Sequence, residues 1–201
     1  MRNRRAFAAG GLCLLAACAT APPPEKKEPP PPPKPVTGLT AVFRCYQMAR
    51  QWAPDALPLR VQSVNLESVK SEDGKAGAWR STFYSAAKGR KKDFTWSAIE
   101  GEGYHKDVFA LQEESFTPSR QIQPFRIEAL RTDTDKAWDV AAKKSAEYMK
   151  KNPGKSIFYL AEWTDRFPNP SWRVVWGDTI SQSGYSIFVD TATGEYLQTG
   201  R

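Results

Sequence analysis

The chain has 201 residues with 29 basic and 22 acidic side chains, which gives a formal net charge of +7. This length is enough for one ordinary domain or two small ones. Three arginines lie in the first five residues, and their removal with a signal peptide would leave 26 basic residues and a net charge of +4. Such a mild excess argues against nucleic acid as a partner.

The first 17 residues predict a secretory signal peptide. "MRNRR" is a short basic start, and the apolar run after it is too short to span a membrane. The run ends in Leu15-Ala16-Ala17-Cys18, which resembles the lipobox of bacterial lipoproteins. That resemblance implies cleavage after Ala17 and attachment of fatty acyl chains, such as palmitate, through the thiol of Cys18. The alternative is an ordinary secreted protein with a chance cysteine.

The residue after the cysteine is Ala19, not the aspartate that resembles an inner-membrane retention signal. The lipoprotein resemblance therefore implies the bacterial cell envelope, and the periplasmic side of the outer membrane if the host is Gram-negative.

Residues 18–38 predict a proline-rich linker, "ATAPPPEKKEPPPPPKPVTG" after the cysteine. Proline fixes φ and favours an extended polyproline II rod. At about 3.1 Å per residue, the 22–35 stretch would hold a domain on the order of 40 Å from the bilayer. A ligand for a proline-binding domain is the alternative to a spacer.

Two segments have the signals of amphipathic helices. "TAVFRCYQMARQWAP" begins with Thr40 as a candidate cap and ends at Pro54, and "TDTDKAWDVAAKKSAEYMKKNPG" has acidic residues first and lysines last. Cys45 lies in the apolar stripe of the first helix, which predicts a core thiol. With Cys13 removed and Cys18 acylated, Cys45 has no partner for an intramolecular disulfide.

Strand patterns follow each helix, and the local sequence repeats after 93 residues. "AWRSTF" and "SWRVVW" both place Trp beside Arg, at Trp79 and Trp172. Alternation in the first strand predicts Trp79, Ser81 and Phe83 facing inward and their neighbours facing solvent. We interpret this as a duplication, in which Trp packs beneath a helix and Arg points to solvent.

The predicted fold class is α+β, with two tandem units that each pack one helix on an antiparallel β-meander. The first unit is predicted at 39–112 and the second at 133–201. Residues 113–132 form a connector, and the pieces Val108–Leu111 and Phe125–Leu130 are candidate edge strands.

The last hairpin, "VDTATGE", resembles the turn of PepSY and PepSY-like domains of bacterial envelope proteins. The matching residues are Asp190, Thr191, Thr193, Gly194 and Glu195. Asp is suited to accept backbone N–H groups across the turn, and Gly supplies positive φ. The resemblance implies a PepSY/cystatin-like fold for each unit and a non-catalytic module that binds or restrains a peptidase. The first half keeps Gly101-Glu102 but lacks the Asp.

The sequence contains no recognisable catalytic constellation, so we predict that the protein is not an enzyme and has no metal or cofactor. "NPGKS" lacks the first glycine of a P-loop and runs from helix to strand. His105 is the only histidine and has no metal-ligand or triad spacing around it. A Cys45–His105 dyad, or a pair among Glu162, Asp165 and Asp178, would be needed for a hydrolase.

Two exposed segments are candidate interaction surfaces. The first is a basic hairpin tip, "KGRKKD", with Lys88, Arg90, Lys91 and Lys92. It is either a solvated turn or a contact for an anionic surface such as lipid headgroups or envelope polymer. The second is Phe167 in the proline-flanked loop "DRFPNPSW", which either forms an interaction tip or folds back onto the sheet.

The sequence thus predicts a lipid-anchored, non-catalytic binding protein, with a peptidase or its substrate as partner and the membrane contacted through the acyl chains. A structural or assembly lipoprotein that contacts the cell wall or an outer-membrane complex is the alternative, and a hydrolase is the least favoured class.

Overall fold

The computed structural model describes residues 31–177 and 183–200. The lipobox residues Leu15, Ala16, Ala17 and Cys18, the linker through Pro30, and Asp178 lie outside the described residues. The elements below all belong to one compact unit, Pro32–Arg201. Both predicted units, 39–112 and 133–201, therefore contribute to the same body.

Within the described ranges, eight strands form one antiparallel sheet in the order β10-β9-β8-β7-β2-β4-β5-β6. Its strands are β2 (Leu57–Val64), β4 (Ala78–Ser85), β5 (Arg90–Ser97), β6 (Asp107–Ser115), β7 (Ile157–Glu162), β8 (Ser171–Trp176), β9 (Ser186–Asp190) and β10 (Tyr196–Gly200). Two short strands, β1 (Val36–Thr37) and β3 (Lys75–Ala76), pair separately. Each half of the chain supplies four strands that are neighbours in this sheet, and the halves meet where β2 pairs with β7.

The helices are α1 (Gly38–Trp52), α2 (Thr134–Lys144) and α3 (Ala146–Lys151). The prediction that Thr40 caps α1 is wrong, since the helix begins two residues earlier. Its first N–H groups have partners from the other half: Gly38 N donates to Thr134 Oγ1 at 2.8 Å, and Leu39 N donates to the Asp133 carboxylate at 2.9 Å. Helix ends need such acceptors, so α1 requires no local cap.

The second helix is interrupted at Ser145, whereas the sequence predicted a continuous one. Ser145 has φ −109° and ψ 12°, and its hydroxyl donates to the carbonyl of Ala141 at 2.6 Å. A serine hydroxyl that bonds back to the preceding turn bends a helix. The lysine-rich end therefore forms a separate short helix, α3.

The two candidate edge-strand pieces have different outcomes. Val108–Leu111 lies within β6, which is the end strand of the sheet, so that prediction is confirmed. Phe125–Leu130 is not a strand, because Ile127–Ala129 forms a 3-10 turn. Ile127 and Leu130 are buried there in the core, and a single turn brings both inward where a strand would alternate them.

Helices α1 and α2 pack on one face of the sheet, and the predicted alternation in β4 is confirmed. Trp79, Ser81 and Phe83 are buried, while Arg80, Thr82 and Tyr84 are only half-buried. The core between helices and sheet includes the cysteine of α1 and the aromatics of both halves. These aromatics are Trp79, Phe83, Phe94, Trp96, Phe125, Trp138, Tyr159, Trp172 and Trp176.

The two repeated tryptophans meet at the centre of this core. Trp79 and Trp172 are fully buried, with ring centroids 6.4 Å apart in an edge-to-face arrangement. Each indole N–H donates to a backbone carbonyl two residues before a helix: Trp79 to Val36 at 3.0 Å, and Trp172 to Thr132 at 2.8 Å. Each repeated Trp thus anchors the start of its own helix, and the predicted packing role of the tryptophans is confirmed.

Candidate functional site

The face of the sheet opposite the helices carries a row of side chains in register. Arg80 of β4 pairs with Gln62 of β2, Gln62 with Leu160 of β7, and Leu160 with Arg173 of β8. The arginines of the two Trp-Arg pairs therefore lie in one row, separated by three strand spacings, or about 14 Å. The row thus has an arginine at each end, with Gln62 and the buried Leu160 between them.

Two of the three arginines that β2, β4 and β8 place on this face have partners. Arg60 forms an ion pair with Glu162 at 2.8 Å. Arg173 donates from Nε to Ser186 Oγ at 3.1 Å, and its guanidinium lies 5.3 Å from the ring centroid of Phe188. Burial lowers the pKa of Arg173, which nevertheless remains a cation at neutral pH. These two side chains are held by the fold itself.

Arg80 differs from them, because its side chain forms no hydrogen bond, ion pair or ring contact with any residue that the structure describes. Its Nε is buried without an acceptor; the Nε of Arg60 is as well, but Arg60 has Glu162 as the partner of a terminal nitrogen. Arg80 and Tyr104 together line two cavities, of about 450 and 380 Å³. The first is lined also by Gln62, Ser63, Val64, Asn65 and Phe158, and the second by Thr95, Glu102, Gly103, His105, Phe109 and Leu111. We call these two cavities and Arg80 the Arg80 cleft.

One wall of the Arg80 cleft is the loop between β5 and β6, which is held firmly. The Glu102 carboxylate accepts from the Ser68 hydroxyl at 2.5 Å and from the backbone N–H groups of Glu67 and Ser68 at 2.8 and 3.1 Å. These donors, led by the Ser68 hydroxyl, lower the pKa of Glu102, so it is ionised at neutral pH. Glu102 has φ +52°, an uncommon backbone conformation for a residue other than glycine.

Only part of the predicted basic hairpin tip lies in the turn. Lys88 is exposed in the turn, where Gly89 has φ +61°, but Arg90, Lys91 and Lys92 lie in strand β5. That part of the prediction is wrong because β6 extends the sheet alongside them. Arg90 pairs with Glu113 at 2.9 Å and Lys91 with Glu114 at 3.2 Å, so carboxylates of β6 partly neutralise the patch.

Phe167 is folded back onto the sheet, which is the second of its two predicted arrangements. It is half-buried, with its ring 5.4 Å from the ring of Phe188 on β9. The Arg166 guanidinium lies over both rings, at 5.4 and 4.4 Å from their centroids. The loop thereby covers one end of the sheet face that carries Arg173.

The hairpin turn after β9 has the predicted local chemistry. The Asp190 carboxylate accepts from the N–H groups of Ala192 and Thr193 at 2.7 and 3.0 Å, and Gly194 has φ +75°. Thr191 donates its hydroxyl to the Pro170 carbonyl at 2.9 Å. Glu195 donates its backbone N–H to Thr193 Oγ1 at 3.2 Å. The turn residues therefore support the hairpin and its connection to the loop before β8.

Among the residues that the structure describes, Cys45 and His105 do not form a catalytic dyad. Cys45 is fully buried on α1, and burial raises the pKa of its thiol to about 12. His105 is exposed, with Nδ1 2.8 Å from Glu100 and its ring 4.1 Å from that of Phe109. Glu162 is engaged with Arg60, and Asp165 lies in an exposed loop.

We expect Cys45 to be unreactive in the folded protein. Raising its pKa from 9.0 to about 12 lowers the thiolate fraction about 1000-fold at pH 8, and the thiolate is the nucleophile. In a chain with Cys13 and Cys18 both changed to serine, Ellman's reagent should label Cys45 only after addition of urea. Rapid labelling without urea would show that the thiol is accessible and ionised.

"NPGKS" runs from the end of α3 into β7, with Gly154 at φ +76°, so the helix-to-strand order is confirmed. Across the described ranges, no group of three His, Cys, Asp or Glu side chains is arranged to hold a metal ion. None of the helices there is both long and apolar enough to cross a bilayer.

The arrangement defines an α+β protein with helices on one face of an antiparallel sheet and an arginine cleft on the other. No protein-family model and no curated protein matches the sequence. Among solved structures, a candidate lipoprotein from Clostridium difficile 630 is similar over 80% of this chain and 91% of that chain, with 10% identity and a TM-score of 0.45.

Proposed function

We propose that this protein is a lipid-anchored bacterial envelope protein that acts as a non-catalytic binding module. The anchor is supported by Leu15-Ala16-Ala17-Cys18 after a short signal peptide. The proline-rich linker then places the folded unit on the order of 40 Å from the bilayer. Such a position leaves both faces of the sheet clear of the membrane.

The observation that carries the binding role is the contrast between the two faces of the sheet. Helices cover one face, and the aromatics of both halves are used there for packing. The other face retains Arg80, whose donors have no acceptor in the described part of the chain, beside two cavities. Unpaired donors in a cleft favour a binding site over a purely structural surface.

Lipid attachment is tested by replacing the two N-terminal cysteines separately. Cells given radioactive palmitate should label the wild-type protein, Cys18→Ser should abolish the label, and Cys13→Ser should leave it unchanged because bulky Leu12 precedes that cysteine. Persistence of the label in Cys18→Ser would contradict the anchor.

The binding role is tested by site-specific photo-crosslinking in cells. A crosslinking residue at Thr82, on the open face of β4, should give an adduct that Arg80→Gln weakens. The same residue at Gln47, exposed on the outer side of α1, serves as the control. Equal adducts at both positions would contradict a binding site on the open face.

We further propose that the two halves are PepSY-like units derived by duplication, and that the partner is an envelope peptidase. The duplication is supported by the matched roles of Trp79 and Trp172, each bonded to the backbone before its own helix. The proposal of a peptidase partner rests on the resemblance of the turn at Asp190–Glu195 to PepSY domains. The purified protein should slow such a peptidase, and unchanged rates across the host's envelope peptidases would contradict this partner.

A structural lipoprotein that contacts the cell wall is the second candidate, and exposed Lys88 at the hairpin turn favours it. Sedimentation with peptidoglycan that is lost in Lys88→Gln and at high salt would support this role. Sedimentation that is insensitive to both would argue against it.

A further inference from the structure

We propose that the Arg80 cleft binds the carboxylate of a short peptide, with Arg80 as the anion-binding residue and the two cavities holding apolar side chains of the peptide. This inference rests on the proposed function, since it names the chemistry that the binding module recognises. Three features of the cleft carry it: the free guanidinium, the local charge balance and the lining of the cavities.

The N–H donors of the Arg80 guanidinium have no acceptor among the described residues. Arginine carries five N–H donors in a planar fork that matches a carboxylate in a bidentate geometry. Arg60 and Arg173 lie on the same face and already use donors on Glu162 and Ser186. Arg80 has no such partner among the described residues, and its Nε is buried, where an unmade hydrogen bond is costly. An incoming carboxylate would supply the missing acceptor.

The charge balance favours a monoanion over a dianion. Among the residues lining the two cavities, Arg80 is the only arginine or lysine and Glu102 the only acid. Glu102 is ionised and stays beside the second cavity because Ser68 and its neighbouring N–H groups hold it there. A carboxylate can pair one-to-one with Arg80, whereas the second charge of a phosphate would meet the field of Glu102 without a further lysine or arginine in the lining.

The lining of the cavities suits a peptide. Phe158 lies in the first cavity, and Phe109, which is 40% exposed, lies in the second. The side-chain amides of Gln62 and Asn65 also line the first cavity; Asn65 Oδ1 already accepts from the Ser71 hydroxyl at 2.8 Å, which leaves its NH2 group as the donor for a peptide carbonyl. Volumes of about 450 and 380 Å³ fall within the range of small-ligand sites.

The cleft is also preformed. Tyr104, which lines both cavities, packs against a small core of Leu66, Val69 and Ala78. The loop that carries Tyr104 is fixed by the Glu102 hydrogen bonds to the segment at Ser68. A rigid wall lowers the ordering cost of binding, so a short ligand can be held by few contacts.

The test uses the full-length protein in detergent and follows binding by isothermal titration at low salt. The probes are acetyl-Ala-Phe with a free carboxylate, the same dipeptide as its amide, and phenyl phosphate. We expect the free acid to bind at least about tenfold more tightly than the amide and more tightly than phenyl phosphate. Arg80→Gln should remove the difference between acid and amide, and Arg80→Lys should keep part of it because the charge remains without the fork.

Arg173→Gln is the matched control, since it removes an arginine from the same row whose donors are already used. It should leave the affinity for the acid within about twofold. Equal binding of acid and amide to the wild-type protein, tighter binding of phenyl phosphate, or equal losses in the Arg80 and Arg173 variants would each overturn the proposal. If acid and amide bind equally while Cys18 is still lipidated and the Thr82 adduct persists, the carboxylate site is wrong and the anchored binding module stands.

Discussion

Replacing Trp172 with alanine is expected to destabilise the protein by about 3–5 kcal/mol, as for other large-to-small core changes. The side chain is fully buried and packs edge-to-face on Trp79. Alanine would leave a cavity at the centre of the core and remove the donor to the Thr132 carbonyl just before α2. Trp172→Phe should cost less, about 1–3 kcal/mol, because it fills much of the space but leaves that carbonyl without its partner.

Urea unfolding followed by circular dichroism measures these free energies. Phe43→Ala is the control, because Phe43 is 45% exposed on α1 and its loss should change stability by less than about 0.5 kcal/mol. The double variant Trp79→Ala/Trp172→Ala should be destabilised by a different amount from the sum of the single changes, since the two rings touch. Additive losses would show that the rings contribute independently and that the two helix starts are not linked through them.

The sequence predicts the local elements well because they depend on nearby residues. Alternation identifies the buried face of β4, and the Asp190 turn follows from the conformational preferences of Asp and Gly. The pairing of β2 with β7, in contrast, cannot be predicted from nearby residues. Arg60 pairs with Glu162 across 102 positions, and no local periodicity specifies which strands lie side by side.

The start of α1 also depends on residues that are distant in the sequence. Thr40 is a reasonable cap by sequence, but Asp133 and Thr134 supply the acceptors from the other half. A helix boundary that depends on a distant side chain cannot be deduced from the residues beside it.

The sequence predicts only part of the candidate site. The repeated Trp-Arg pairs correctly indicate that Arg80 and Arg173 face away from the core. That Arg80 alone lacks a partner depends on Ser186 reaching Arg173 and on Glu162 reaching Arg60, both contacts between strands. The charge of the basic run at 88–93 predicts an interaction surface. Glu113 and Glu114 of β6, which lie far from it in the sequence, form ion pairs with Arg90 and Lys91.

Gly74→Ala is expected to cost about 3–5 kcal/mol, because strained backbone and overpacking act together there. Gly74 has φ +76°, and an added Cβ would lie 2.3 Å from the Asp135 Cα in the first turn of α2. Its backbone N–H donates to Tyr159 Oη at 2.9 Å, and its carbonyl accepts from the Thr134 hydroxyl. The turn cannot move aside without breaking both bonds.

Gly89→Ala separates the two causes. Gly89 also has positive φ, at +61°, but an added Cβ would meet no atom within 4 Å. It should cost only the conformational penalty, about 1–2 kcal/mol, in the same urea measurement. Equal losses in the two variants would mean that the close approach at Gly74 contributes nothing. A larger loss at Gly74 would show that the turn of the first half is locked against the helix of the second, and that the halves are stable only as one body.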